Sequence, residues 1–342
     1  MVRCSVACWC LVGMHACTPQ PAPRPSTVPV PPAPTTPASA SVASPPAARE
    51  IAGTVTTLAT GMTNPGELVV DEGHVWLCSF TALVRLEKHR AAPALTIDVG
   101  GHPVDIADRG PSLAVSVHQP PNGWLLVEVD KRTLTTRTLT TGLEAQHIAL
   151  TGSEVVAADA TGRIAAVGGG QREVASGQGY VSDIVAGAGK LCWASGGDLG
   201  AAMMAGKPLP GSVTCADPSG ANAAVLARPV LPVAVALTPS LLAYADSEGV
   251  HTLRGAGPPV RIHESAGTLF AVTALAADER DVVFGLGSVT SDAPGKLMRL
   301  SPSDVGAREL ARFSGAATAL GMDERAVYVS NMQAGSVARV AR

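Results

Sequence analysis

The hexapeptide AVYVSN at 326–331 has six relatives earlier in the chain, and their spacing constrains the fold more than any other feature. Aligned on their first aliphatic residue, the seven fall at Val75, Leu113, Val155, Leu191, Leu242, Val282 and Val327. Three residues after each anchor stands a small side chain: Cys78, Ser116, Ala158, Ala194, Ala245, Gly285 and Ser330. Seven residues before each stands an aliphatic: Leu68, Ile106, Ile148, Ile184, Val235, Leu275 and Leu320. The anchors are about 42 residues apart on average, the length of one four-stranded propeller blade.

Each unit reads as strands. Apolar and small residues alternate through the anchor runs, as a pleated strand requires. Turn residues such as DEG (71–73), DRGPS (108–112) and ADER (277–280) separate them at constant spacing, which predicts a tight hairpin. Third strands follow at ALVRLEK (82–88), GKLMRL (295–300) and GSVARV (335–340), and a fourth at ARELARFSG (307–315). The strands are named a, b, c and d in chain order. The small residue three past the anchor lets neighbouring sheets approach face to face, where leucine would hold them apart. Cys78 is on this reading a packing residue. The seventh unit stops after strand c, and GTVTTLATG (53–61) carries the pattern of strand d. The expected fold is all-β: a seven-bladed β-propeller of four-stranded blades, closed by an N-terminal strand that supplies the last strand of blade 7.

The stretches LATGMTNPGELVVDEGHVWLCS and LAADERDVVFGL…GKLMRLSP resemble the YWTD/NHL-like repeats of bacterial secreted propellers. The resemblance covers nearly all of 53–342 and implies fold rather than function, since such propellers include binding proteins, lactonases and lyases.

The N-terminus reads as an address. Arg3 precedes an apolar run from Cys4 to Met14, too short to span a bilayer as a helix. Met14-His15-Ala16-Cys17 resembles a bacterial lipobox, which implies cleavage before Cys17 and its lipidation. Of the 33 residues from 18 to 50, 11 are proline and most others Ala, Ser, Thr or Val. Such a segment buries no core and favours extended conformations. The expected organisation is a lipoprotein-type signal at 1–17, a disordered tether at 18–50 and the propeller at 51–342. The expected location is the bacterial cell envelope, with the membrane reached only through a lipid anchor.

A net charge of −3 and 3% aromatic residues offer neither an electrostatic footprint nor a stacking platform for nucleic acid. The motifs G-x-S-x-G, H-E-x-x-H, G-x-G-x-x-G, the P-loop and the EF-hand are all missing. One constellation carries chemistry. The residue before the strand-a aliphatic is Glu67, Asp105, His147 and Asp183 in the first four units, then Ala234, Ala274 and Ala319. His102, read on the d–a connection, and His118, read in a b–c loop, belong to the same face. Together these six are candidate ligands for a small molecule or a divalent metal at the channel mouth; no other cofactor is expected. Their alternative is a solvated rim. PVDIADRGPSLAVSV resembles the inner-strand layout of propeller lactonases and arylesterases, which implies a metal-dependent hydrolase or lyase as the second functional reading. The first is a non-enzymatic, monomeric module that binds a protein, peptide or glycan.

The interval from Leu191 to Leu242 is about nine residues longer than average. Its extra stretch, GKPLPGSVTCADPSGAN, is placed between strands c and d. Cys215 there could pair with Cys192 of the same blade in an oxidising compartment, or both could remain thiols.

Overall fold

The structure, a computed structural model, describes residues 4–5, 53–89, 92–196, 210–255, 257–265, 272–288, 294–301, 304 and 306–342. The signal, Cys17 and the tether lie outside the described residues, apart from the backbone of Cys4–Ser5.

Seven antiparallel sheets, each ordered a-b-c-d, make the seven blades. Their a strands are Leu68–Val70, His102–Asp108, His147–Thr151, Val181–Gly187, Ala234–Leu237, Val272–Ala277 and Ala319–Met322. One register runs through all seven. The aliphatic seven before the anchor always pairs with the residue two after it: Leu68 with Leu77, Ile106 with Val115, Ile148 with Ala157. Ile184 with Trp193, Val235 with Tyr244, Leu275 with Phe284 and Leu320 with Val329 repeat it. Apolar clusters fill the spaces between neighbouring blades; one joins Ala319, Ala326 and Tyr328 of blade 7 to Leu68, Val75 and Leu77 of blade 1. The small position is as tight as its residues imply. A Cβ on Gly285 would stand 2.8 Å from the Ala317 Cβ.

The ring closes as expected. Val55–Ala59 pairs with Ser336–Ala341 as strand d of blade 7, Val55 opposite Val340. In the uncleaved chain the inner edge of the same blade also pairs with Cys4–Ser5, a pairing that cleavage before Cys17 would remove.

Electrostatic staples on the a–b hairpin face reinforce this closure. Each staple joins the turn aspartate of one blade to a cation just past strand c of the next. Asp323 of blade 7 meets Lys88 of blade 1 at 2.5 Å, and Asp71 of blade 1 meets Lys131 of blade 2 at 3.1 Å. Asp278 of blade 6 meets Arg342 of blade 7, which also pairs with Asp281. The other contacts of these aspartates hold their own hairpins, as when Asp71 accepts the amides of Gly73 and His74. Burial raises the Asp71 carboxyl, but the Trp76 indole, the His74 amide and Lys131 outweigh it and hold it at about 2.

Blade 4 departs from expectation. Its strand c is Ser212–Ala216, so Cys215 sits on a strand, and the long insertion precedes it, between strands b and c. Cys215 lies directly across from Cys192, and the two sulfurs form a disulfide.

Candidate functional site

The a strands enter the channel from the face that carries the b–c loops, and the four candidate positions before their aliphatics are buried. Exposure is 8% for Glu67, 2% for Asp105, 3% for His147 and 1% for Asp183. Strand a is irregular just before two of them, with a register shift between Pro103 and Asp105 and another between Val181 and Asp183. Strand a is also the inner edge of the sheet in blades 2 to 5, so alternate backbone amides have no ladder partner, and the carboxylates satisfy four of them. Asp105 accepts the Ile106 amide at 2.6 Å through Oδ1 and the Ile148 amide of blade 3 at 2.7 Å through Oδ2. Asp183 does the same two seams further on, taking Ile184 at 2.8 Å and Val235 of blade 5 at 2.8 Å. Each aspartate therefore ties its own blade to the next.

His147 occupies the equivalent position between them and has no such task. The amide that a carboxylate there would take, that of Ile184, already donates to Asp183. Among the described residues neither imidazole nitrogen meets a hydrogen-bond partner, and burial pushes its pKa down to about 4. Gln146 Oε1 beside it is likewise buried without a donor.

The two remaining candidates come together away from these carboxylates. His102 is the first residue of strand a and His118 lies within strand b, rather than on a connection and in a loop. Blade 2 has long central strands, Ser112–Gln119 and Gly123–Asp130, whose ladder extends to the Gln119–Gly123 pair. His102 and His118 face each other across that extension, with ring centroids 6.5 Å apart. Phe80, from the b–c turn of blade 1 and 43% exposed, stacks on His102 at 4.4 Å. Trp124 of strand c lies against His118 at 4.9 Å. The result is a half-exposed aromatic row, Phe80–His102–His118–Trp124, across two blades. Sequence reading missed Phe80 and Trp124. The available signal was the hairpin HQPPNGW, which places Trp124 opposite His118 once the strands are extended through it.

Among the described residues, no three His, Cys, Asp or Glu side chains are grouped to hold a metal ion. The far end of the channel contains a cavity of about 410 Å³ lined by aliphatic residues and Asp108, whose carboxylate is bound to Lys131 at 2.8 Å.

No protein-family model matches the chain, and no curated protein matches it. Solved structures do. A chain in the structure of YCF48 bound to D1 peptide matches with a TM-score of 0.60 at 11% identity, covering 86% of this chain and 99% of that one. A chain of a mitotic checkpoint complex matches with a TM-score of 0.61 at 15% identity, over 89% and 97%. A chain of a nidogen/laminin complex matches with a TM-score of 0.54 at 13% identity, over 71% and 95%. At these identities the likeness is one of fold. The protein is a seven-bladed β-propeller.

Proposed function

We propose that this chain is an envelope-tethered binding module whose b–c loop face receives a protein or peptide partner. The observation that carries the reading is the aromatic row. Aromatic side chains make up 3% of the chain, yet Phe80 and Trp124 stand together on one rim. Large, rigid, partly exposed rings are what interface centres are built from, and loops on a stiff scaffold are where binding usually resides. The fold is consistent with this, since the similar propellers named above come from complexes with proteins or a peptide. The hydrolase reading is less well supported, because both oxygens of Asp105 and of Asp183 accept backbone amides.

A photoreactive phenylalanine analogue at Phe80 tests the surface, with the same analogue at Arg280 on the opposite face as control. The expected result is a discrete adduct in cells from position 80 alone. Equal labelling from both positions, or labelling only from position 280, would reject the assignment. The tether is tested separately: labelled fatty acid should enter the wild-type chain and not Cys17→Ser.

A further inference from the structure

We propose that His102 and His118 together bind one divalent transition-metal ion on the rim of blade 2. The two residues are direct cross-strand partners, so the sheet itself holds their backbones in register. His102 has its tautomer set. Its Nδ1 lies 2.7 Å from the Phe80 carbonyl oxygen, and a carbonyl can only accept. In the neutral ring the hydrogen is therefore on Nδ1, and Nε2 keeps its lone pair for a metal. This is the arrangement by which an outer carbonyl fixes the tautomer and orientation of a metal-binding histidine.

Both rings are braced from the side. Phe80 stacks on His102 with an interplanar angle of 18°, and Trp124 packs on His118 at 38°. Two imidazoles on one tetrahedral ion, with metal–nitrogen bonds of about 2.0–2.1 Å, have ring centroids roughly 5 Å apart. The observed 6.5 Å is wider by about 1.5 Å. Binding therefore requires the His118 ring, which is braced on one side only, to turn toward His102 on its fixed backbone.

The donor set also selects the ion. Two imidazoles and no grouped carboxylate suit Cu²⁺, Ni²⁺, Zn²⁺ or Co²⁺, whereas Ca²⁺ and Mg²⁺ require oxygen ligands. No third His, Cys, Asp or Glu joins the pair among the described residues, so further positions on the ion are filled by water or by a donor from a partner. The site stands independently of the binding-module reading, since ion uptake is measured with no partner present.

The test is equilibrium dialysis of the untagged full-length chain with Ni²⁺, after its thiols have been alkylated. Trp124 fluorescence gives a second readout, because Ni²⁺ beside His118 should quench it. The expected result is one equivalent bound and partial quenching. Affinity should fall at least tenfold in each of His102→Ala and His118→Ala and stay unchanged in His251→Ala. Cu²⁺ should bind tighter than Ni²⁺ and Mn²⁺ hardly at all. Uptake unaltered in both rim variants, or none at millimolar Ni²⁺, overturns the proposal. Unchanged melting temperatures for the two variants would show that lost uptake is not lost folding.

Discussion

Replacing His147 with leucine should flatten the acid side of the stability profile. The side chain is 3% exposed and both its nitrogens lack partners among the described residues, so burial alone disfavours its charged form. Its pKa is pushed from 6.5 down to about 4. Below pH 6.5 the unfolded chain takes up a proton that the folded chain refuses until about pH 4. Unfolding is thus proton-coupled in that window, and stability falls as pH falls through it. At about 1.4 kcal/mol per pKa unit, a difference of about 2.5 units removes roughly 3 kcal/mol between pH 7 and pH 4. At about 2.1 cal/mol/K per residue, a propeller of about 290 residues should lose about 5 °C in Tm from this residue. The assay is thermal unfolding by circular dichroism from neutral pH down to about pH 4, with His147→Leu and His147→Asn compared against wild type. Other titrating groups cancel in the difference. Both variants should gain on wild type as the pH drops, and the leucine variant should equal or exceed it at neutral pH, because an unsatisfied buried group has been removed. Parallel curves for wild type and both variants would refute the reasoning.

Asp105→Ala and Asp183→Ala each strip a buried amide on the following blade of its acceptor and should each cost about 1–3 kcal/mol in urea unfolding. Because they serve different seams, the double variant should be close to additive. Arg342→Met takes one of two cations from Asp281, which is 1% exposed and keeps Arg299 at 2.8 Å; a loss of about 1–3 kcal/mol is expected by thermal unfolding. Gly285→Val would force a Cβ to within 2.8 Å of the Ala317 Cβ and should cost about 1–3 kcal/mol by overpacking. Thr138→Val, on the exposed part of strand d of blade 2, is the matching control and should leave Tm nearly unchanged.

The architecture was legible because its determinants are local and repeated. The anchors, the small residues three further on and the aliphatics seven before each encode a hairpin register, and the same pairing recurs in every blade. The site was less legible because the role of a polar residue depends on what lies across a seam. Asp105 and Asp183 look like ligands in the sequence; only the positions of the Ile148 and Val235 amides show them to be inter-blade acceptors. Strand c of blade 4 was hidden for a different reason. Proline and glycine flank SVTCA and suggest a loop, yet pairing with Lys190–Ser195 overrides that local signal. The His102–His118 pair was obscured by the extra length of blade 2, which turns an expected loop into ladder.

Closure by Val55–Ala59 has a consequence for biosynthesis. The partner of that strand, Ser336–Ala341, follows it only after every other blade has been made. At roughly 5–20 residues per second, the first propeller strand to leave the ribosome waits some tens of seconds for its mate. During that wait blades 1 to 6 can assemble in order, each on the one before, while the open arc exposes two raw faces. The closing strand pair is then a timing step as well as a structural one: no partial chain that lacks blade 7 can complete the ring, however well its own blades have formed.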